Sequence, residues 1–477
     1  MTKSFWIAFI AGGLAWAAVL FWWFGYKPPF AIDERVPGMD MEPPEIAAAG
    51  IPSSAIGELF EKFDDVLPST SIKASWPAFR GINIDNISTE RIPLRDFSDG
   101  NQPNVAWTID LGEGHAAPAV HNGRVYVLDY DEKEEADMLR CFSLDSGEEM
   151  WRRGYKVKVK RNHGMSRTIP AVNDSVVVTV GPHCHAMGTH AVTGELLWGI
   201  DMVNQYGTEI PLWYTGQCPI IDDTVAVLAP SGTGALLIGV NTMTGEVVWE
   251  TPNRHGWRMS HSSVIPMTFF GRRVYVYCAS GGIVGVAADG EDRGSVLFES
   301  NEFSQSVVAP SPVQISGNRI FMTAGYGAGS AMFQVNHNDG KFSITMTGRY
   351  TVREALASEQ QTPLYHGGHL CAVMPKDAGA PRDQFVCVDT RDVTAIKWTS
   401  GPDNLFGLGP FIIADNKFFI LSDDGTLTAA AISTQRFEKL GSAKISHGVD
   451  AWGPMALVSG RLLLRDSRRM FCVDLRK

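Results

Sequence analysis

The sequence predicts an all-β protein, an eight-bladed β-propeller of four-stranded antiparallel blades preceded by an N-terminal transmembrane helix. Three observations indicate this fold. A Gly or Asp turn that leads into an apolar strand recurs eight times, at intervals of 45 to 51 residues. Each copy carries the signals of four short strands, the unit of a propeller blade. The last copy lacks a fourth strand, and a matching strand stands alone before the first copy.

The chain begins with a candidate membrane anchor. Residues 5–26 contain no charged side chain, and about 22 apolar residues are enough to span a bilayer as a helix. Lys3 precedes this stretch, so the positive-inside rule predicts a cytoplasmic N-terminus at residues 1–4. A cleaved signal peptide is the alternative. We expect a single-pass membrane protein with its propeller in the periplasm or outside the cell.

Residues 27–75 are predicted to form a proline-rich stalk, since they contain seven prolines. One part of the stalk, residues 54–67, is predicted to be a short amphipathic helix. Its apolar residues recur at helical spacing: Ile56, Leu59, Phe60, Phe63 and Val66. This apolar face could dock on the body of the protein, on a partner or on the membrane surface.

The eight repeats lie within residues 76–477, the predicted propeller domain. Their turns begin at Gly123, Asp174, Asp223, Gly271, Gly317, Gly367, Asp415 and Gly460. In seven of the eight, a proline four to six residues earlier marks a preceding strand, and a third strand follows. A Gly-centred turn then leads to a fourth strand, as in "TGELLW" and "TGEVVW". Such regular repetition predicts blades that pack face to face around an axis.

The fourth strand often carries a large aromatic residue, such as Trp151, Trp198, Trp249 or Trp398. A tryptophan at a fixed position can fill the wedge between neighbouring blades. The eighth repeat ends without this strand, but residues 105–112 carry Trp107 and have no strands of their own. We therefore expect residues 105–112 to complete the last blade and close the ring, which removes an exposed sheet edge.

The recurring "TGE-x-x-W" resembles the pyrroloquinoline-quinone (PQQ) repeat. That repeat builds the eight-bladed propellers of the quinoprotein dehydrogenases and of outer-membrane assembly factor B. "WPAFRG", residues 76–81, is similar to the segment that often precedes such propellers in extracytoplasmic bacterial proteins. The resemblance covers residues 76–477 and implies the fold more strongly than any activity.

The resemblance to the dehydrogenases implies PQQ and calcium as a cofactor set, with an adjacent Cys-Cys pair and carboxylate ligands near the quinone. This chain has no adjacent cysteines and no CxxCH haem motif. Asp450 is the only carboxylate close to an inner strand, and Glu359 lies farther out. A calcium-quinone site would lack acidic ligands. We therefore expect no cofactor, with PQQ and calcium as the alternative.

A candidate ligand site lies where loops precede the inner strands, at the mouth of the central channel. Tyr214 and Trp257 could join its aromatic residues in stacking on a sugar, a quinone or a peptide side chain. Alternatively, these groups satisfy backbone atoms at the strand ends. The candidate ligand-binding residues are His115, Arg167, Trp213, Gln217, His261, Gln361, Asp450 and Trp452.

Other motifs support simpler interpretations. "GPHCHAMGTH" holds metal-ligand residue types at His183, Cys184, His185 and His190, but structural or solvent-facing histidines are the favoured interpretation. Cys371 and Cys387 fall on neighbouring predicted strands, where either a disulfide or two buried thiols would fit. No metal site is therefore predicted.

Charge excludes one class of partner. The formal net charge of −11 provides no basic surface for nucleic acid. The basic run at residues 152–161 alternates with apolar residues as a solvent-facing strand would, and a patch for an anionic ligand is the alternative. The sequence thus favours a membrane-tethered, non-catalytic scaffold or binding module with envelope protein partners. The alternative is an oxidoreductase with its site at the channel mouth.

Overall fold

The computed structural model describes residues 13–23, 55–63, 66 and 72–477. Two compact units make up the chain, Met1–Ile46 and Ala47–Lys477. In the first unit, residues 13–23 form helix α1, whose side chains are exposed. None of the helices in the described ranges combines the length and the apolar character needed to cross a membrane. The rest of the predicted span 5–26, residues 1–4 and most of the predicted stalk fall outside those ranges.

The second unit is an eight-bladed β-propeller, which confirms this part of the predicted fold. Every sheet is antiparallel with four strands, except that blade 1 gains a fifth. Blade 1 contains β3 (Ala119–His121), β4 (Arg124–Asp131), β5 (Ala136–Ser143) and β6 (Glu149–Lys156), and blade 2 contains β7 (Ala171–Val172), β8 (Val176–Val180), β9 (His185–His190) and β10 (Leu196–Asp201). Blade 3 contains β11 (Ile220–Asp222), β12 (Val225–Leu228), β13 (Leu237–Asn241) and β14 (Val247–Thr251), and blade 4 contains β15 (Ile265–Phe269), β16 (Arg272–Ala279), β17 (Gly282–Ala287) and β18 (Val296–Ser300). A short helix, α2 (Met202–Tyr206), follows β10.

The remaining blades keep the same strand order. Blade 5 contains β19 (Val313–Ile315), β20 (Arg319–Ala324), β21 (Gly329–Asn338) and β22 (Lys341–Tyr350), and blade 6 contains β23 (Leu364–His366), β24 (His369–Val373), β25 (Phe385–Asp389) and β26 (Asp392–Thr399). Blade 7 contains β27 (Phe411–Ala414), β28 (Lys417–Leu421), β29 (Thr426–Ala431) and β30 (Lys439–Lys444), and blade 8 contains β31 (Ala456–Val458), β32 (Arg461–Arg465), β33 (Arg469–Asp474) and β2 (Asn104–Asp110). The first strands of the blades surround the central channel, and direct contacts join β31 to β3, β3 to β7, β7 to β11 and β19 to β23.

The strand order gives the propeller two distinct ends. We call the end that carries the segments between blades the connection face. The opposite end carries the tight turns between the first and second strands of each blade, and we call it the turn face. The loop between β20 and β21 also lies on the connection face, because strand direction alternates within each antiparallel blade.

The predicted ring closure is confirmed. Strand β2 pairs antiparallel with β33, from Asn104 opposite Asp474 to Asp110 opposite Arg469. Its bounds, Asn104–Asp110, differ slightly from the predicted 105–112. Beside this junction, the fully buried Arg465 donates hydrogen bonds to the carbonyl oxygens of Ala116 (3.0 Å) and Gly112 (3.1 Å). The two ends of the propeller domain are therefore joined by both backbone and side-chain bonds.

The repeated tryptophans lie between blades, as predicted. Four of them pack on the Gly of the turn before the fourth strand in the next blade. The Gly residues have positive φ, and a Cβ added at any of them would lie 3.0 Å or less from the tryptophan. The pairs are Trp107 with Gly147, Trp151 with Gly194, Trp198 with Gly245, and Trp249 with Gly294. These turns need glycine for both backbone conformation and space.

The helix predicted for residues 54–67 is wrong where the structure describes this stretch. Residues Leu59–Lys62 form strand β1, which pairs antiparallel with β6 as the fifth strand of blade 1. Pairing with the open sheet edge provides hydrogen-bond partners for the backbone groups of this segment. In a short solvent-exposed helix, the backbone groups at both ends would bond only to water. Residues 55–63 accordingly lie against the propeller and are not part of a free stalk.

The segment that carries "WPAFRG" closes the channel at the turn face. It reaches the innermost strands of several blades, and Ile84 contacts the apolar clusters of blades 3 to 5. The bonds are Trp76 N–H to Val120 O (2.8 Å), Val172 N–H to Pro77 O (2.8 Å), Arg80 Nη2 to Pro363 O (3.2 Å) and Ile413 N–H to Asn86 O (3.0 Å). Because these strands surround the channel, residues 76–88 plug one of its ends.

Candidate functional site

The candidate site is the open end of the channel, on the connection face. Its wall is organised by a chain of hydrogen bonds in blades 2 to 6, in which the second residue before an inner strand bonds to the matching residue of the next blade. The backbone N–H groups donate from Ile169 to Cys218 Sγ (3.3 Å), from Cys218 to Ser263 Oγ (3.0 Å), from Ser263 to Ser311 Oγ (3.0 Å) and from Ser311 to Thr362 Oγ1 (2.9 Å). Blades 2 to 6 are thus held in register around the mouth.

Three of the predicted residues meet where the ring closes. The rings of His115 and Trp452 stack with centroids 3.5 Å apart and planes 16° from parallel. Gln361 Nε2 donates to the carbonyl oxygen of Trp452 (2.9 Å) and to that of Leu408 (3.2 Å). Burial lowers the pKa of His115 well below its ordinary value, and the neighbouring arginines lower it further. His115 therefore remains a neutral imidazole at physiological pH.

A second group spans the mouth from blade 3 to blade 5. The ring of Trp213 stacks on Tyr326, with centroids 5.5 Å apart and planes 17° from parallel. The ring of His261 lies 5.9 Å from Trp213. Burial lowers the pKa of His261 to about 3, and the charge of Arg167 contributes to the shift. The mouth consequently contains two neutral imidazoles, and that of His261 lies beside the Trp213 ring.

Arg167 provides a positive charge at this mouth. Its Nη2 donates to the carbonyl oxygens of Asn162 (2.6 Å), His163 (3.2 Å) and Gly164 (3.2 Å). Within the described part of the chain, no carboxylate forms an ion pair with Arg167. Burial lowers the pKa of Arg167 to about 10, so it stays protonated near neutral pH. A desolvated cation without a carboxylate partner favours an approaching anion or carbonyl oxygen.

The remaining predicted residues behave differently. Gln217 is fully buried; its Nε2 donates to Cys218 O (2.8 Å), while its Oε1 finds no hydrogen-bond partner among the described residues. Asp450 is exposed and lines a separate cavity of about 450 Å³. The residues lining that cavity are Asp423, Asp424, Lys444, His447, Gly448, Val449 and Asp450. The structure therefore does not bring Asp450 into the other groups of predicted residues.

Two further aromatic candidates are structural. Tyr214 is buried, and its hydroxyl donates to the carbonyl oxygen of Lys160 (2.7 Å). Trp257 is buried against Gly281 and Gly282, where an added Cβ would lie 2.3 Å and 2.5 Å from its ring. The prediction that Trp257 could stack on a ligand at the mouth is wrong, because its ring faces blade 4.

The histidine-rich stretch of blade 2 forms no metal centre that the described residues reveal. No cluster of three or more His, Cys, Asp or Glu side chains within those residues could hold a metal ion. His185 is buried with its ring 5.1 Å from that of Tyr155 and its Nε2 3.9 Å from Asp201 Oδ2. Cys184 lies 3.1 Å from Thr215 Oγ1. These side chains pack inside and between blades.

Sequence reasoning missed two features of the mouth, Tyr326 and the hydrogen-bond chain. Tyr326 lies in "AGYGAGS", where glycines surround a tyrosine that itself has φ of 55°. The sequence signal was a glycine-rich loop in place of the usual turn, because such a loop indicates an unusual backbone conformation. The hydrogen-bond chain had a signal too, because Cys218, Ser263, Ser311 and Thr362 occupy one repeat position.

A buried carboxyl group on β5 of blade 1, Asp137, is expected to make stability depend on pH. Burial raises the pKa of Asp137 to about 7, against the opposing hydrogen bond from Tyr155 (3.1 Å). Because the folded-state pKa exceeds the unfolded value, the stabilisation is full at low pH and is lost as pH rises through 7. The free energy of unfolding of Asp137→Asn, measured relative to that of wild type, should therefore rise by about 2 kcal/mol from pH 5.5 to pH 8.

Urea unfolding of both proteins at the two pH values measures this difference. The histidines with lowered pKa values contribute equally to the two proteins, so they cancel in the comparison. A stability difference that does not change with pH would show that Asp137 is ionised in the folded state across this range.

Calcium-bound PQQ is the cofactor set implied by the dehydrogenase resemblance, and its fit can be tested on these residues. It requires several carboxylate or amide oxygens around the metal ion. At the mouth, Arg167 is cationic, His115 and His261 are neutral, and Gln361 offers one amide oxygen, because its Nε2 donates to backbone carbonyls. Glu359 lies against Gly325 in the β20–β21 loop. The donor set at this mouth does not fit a calcium-held quinone.

Comparisons with known proteins agree with the fold. Residues 134–392 match the family model described as outer membrane protein assembly factor BamB. BamB from Moraxella catarrhalis is similar in structure, at 11% identity and a TM-score of 0.52, over 78% of this chain and 99% of that one. Quinohemoprotein alcohol dehydrogenase from Comamonas testosteroni has 12% identity and a TM-score of 0.56, over 84% of this chain and 81% of that one.

A search of curated proteins finds no match to this sequence. At such low identities, likeness to the solved structures shows the fold alone. The family model is a stronger finding, because the residues it matches make up more than half of the chain. The protein belongs to the family of the outer membrane protein assembly factor BamB.

Proposed function

We propose that this protein is a non-catalytic scaffold of the bacterial envelope, anchored in the membrane by residues 5–26, with its propeller outside the cytoplasm. In this proposal the connection face binds a partner protein around the channel mouth. The anchor rests on the uncharged sequence of residues 5–26 and on the lysine that precedes it. The role as a scaffold rests on the surface chemistry of the connection face and on membership of the BamB family.

The observation that carries the proposal is a set of exposed apolar side chains on connection-face loops. Protein interfaces are commonly built around such apolar and aromatic anchors. These residues come from four separate parts of the ring, so one partner surface could contact several blades at once. They are Leu212, Tyr326, Leu405 and Val449, with exposed fractions of 38%, 46%, 49% and 67%.

Arg167 adds a chemical preference to this surface. Its uncompensated charge would attract an acidic side chain or a carbonyl oxygen of the partner, beside the Trp213 and Tyr326 rings. The plug at the turn face favours approach from the connection face, because residues 76–88 occupy the other end of the channel. The proposed partner therefore presents apolar side chains around an acidic or carbonyl-bearing group.

The alternative function is a cofactor-dependent oxidoreductase with its site at the same mouth. A titration of the purified protein with PQQ and calcium chloride separates the two functions. We expect no saturable change in melting temperature and no bound quinone absorbance, since the donor set offers calcium too few oxygen ligands. A concentration-dependent rise in melting temperature together with quinone absorbance, lost in Arg167→Ala, would favour the oxidoreductase.

A further inference from the structure

A short piece of the chain docks on the outer edge of blade 1 as a linear peptide would. Strand β1 contributes only Leu59–Lys62 and pairs antiparallel with β6, with Leu59 opposite Gly154 and Lys62 opposite Trp151. One further backbone bond runs from the N–H of Phe63 to Met150 O (2.9 Å). This is the geometry in which an extended peptide adds a strand to an open sheet edge.

Two consecutive arginines on β6 read the side chains of the docked segment. The guanidinium of Arg153 lies over the ring of Phe60, 4.1 Å from its centroid, and also donates to the carbonyl oxygens of Gly57 and Gly194. Arg152 donates from Nε to Glu61 Oε2 (2.8 Å) and lies over the Phe63 ring. One acidic and two aromatic side chains are thus recognised by cation-π and charge-assisted contacts.

The start of the segment fills a pocket between blades 1 and 2. Ile56 is completely buried and belongs to the apolar cluster around blade 1. Gly57 has φ of 83°, and a Cβ added there would lie 2.6 Å from Leu196 Cδ1 and 2.9 Å from Met187 Sδ. The pattern recognised is therefore an aliphatic residue, a glycine, then an aromatic, an acidic and a second aromatic residue at the spacing of residues 56–63.

Several features make this contact replaceable by another chain. The strand has four residues, and its pattern of burial leaves three of them exposed, including Phe60 at 42%. The recognising groups, Arg152 and Arg153, belong to the propeller and do not depend on the segment being covalently attached. Their two positive charges select an acidic peptide.

We propose that the outer edge of blade 1 is a docking site for an extended peptide of a partner protein. Residues 56–63 are its intramolecular occupant, and the partner displaces them with a strand that carries the same aliphatic, glycine, aromatic and acidic pattern. Covalent attachment gives the internal segment an effective concentration in the millimolar range, so it holds the edge closed until such a partner competes. This site is separate from the channel mouth and does not depend on the function proposed for that mouth.

The test uses the full chain with its internal segment weakened by Phe60→Ser and Glu61→Ser. A fluorescent peptide of residues 55–66 is titrated against this variant and against wild type, with fluorescence anisotropy as the readout. We expect saturable binding to the variant at least tenfold tighter than to wild type. Adding Arg153→Ala to the variant should weaken binding at least tenfold, as should Phe60→Ser in the peptide.

Arg349→Ala in the same background is the matched control. Arg349 lies on β22, the outer strand of blade 5, over the ring of Phe303, so its loss should leave peptide binding unchanged. Absence of saturable binding to a variant that still melts cooperatively would overturn the proposal. A peptide affinity that is unchanged by Arg153→Ala would overturn the proposal as well. Concentration-dependent dimerisation of wild type through exchanged β1 strands would assign the edge to a second copy instead of a partner.

Discussion

Trp107→Ala is expected to destabilise the entire propeller by about 3 to 5 kcal/mol, the usual cost of emptying a buried tryptophan site. Trp107 lies on β2, packs on Gly147 of blade 1, and donates from Nε1 to Leu144 O (2.9 Å). The substitution therefore weakens the one joint that connects blade 8 to blade 1. Since whole domains are stable by about 5 to 15 kcal/mol, the loss should lower the urea midpoint sharply.

Deletion of residues 104–112 should have a larger effect, because it leaves the edge of β33 unpaired. Leu405→Ala provides the control: Leu405 is 49% exposed on a loop, so its replacement should change stability by less than about 0.5 kcal/mol. Unchanged unfolding of the deletion variant would contradict closure by β2.

Trp76→Ala is expected to cost about 3 to 5 kcal/mol and to loosen the plug at the turn face. Trp76 is 3% exposed, exchanges two backbone bonds with Val120, and covers Gly81, where an added Cβ would lie 3.0 Å from the ring. Loss of the ring removes the first anchor of the segment that follows. Limited proteolysis should consequently cleave within residues 77–95 faster in the variant than in wild type.

Ile82→Ala tests the same segment without touching its anchor. Ile82 is 64% exposed, so we expect wild-type stability and wild-type proteolysis. Equal protection of residues 77–95 in the Trp76→Ala protein would show that the plug is held by contacts other than this ring.

The architecture was predictable because the sequence repeats the same pattern eight times. Turn residues and the interblade tryptophans recur at nearly constant spacing, and each repeat forms one sheet. Ring closure was predictable for the same reason, since a missing strand at one end matched a surplus strand at the other. Because the period extends over eight units, an error in the bounds of one predicted strand does not change the predicted fold.

Isolated segments were less predictable. Ile56, Leu59, Phe60 and Phe63 have helical spacing, yet these few residues are also compatible with an extended strand. The open edge of β6 and its two arginines decide the outcome, and these lie about ninety residues away in the sequence. Tertiary pairing outweighed local periodicity at this position.

The site was predictable in location but only partly in membership. Positions before the inner strands had to surround the channel, and closure of the ring brings His115 onto Trp452. The sequence does not specify the direction of each side chain. In the structure, Trp257 faces blade 4, while Tyr326 stacks on Trp213. Asp450 lies in the loop that precedes blade 8 and lines a separate cavity.

The central claim, that the connection face binds an envelope protein, is tested most directly by site-specific photocrosslinking in intact cells. A photoreactive amino acid at Leu212, Leu405 or Val449 should yield covalent adducts with the same envelope protein. The same probe at Phe270, which is 51% exposed on the turn face, should yield none. Arg167→Ala should reduce the adducts from all three positions at an unchanged amount of folded protein. Adducts from Phe270 alone, or from neither face, would contradict the claim.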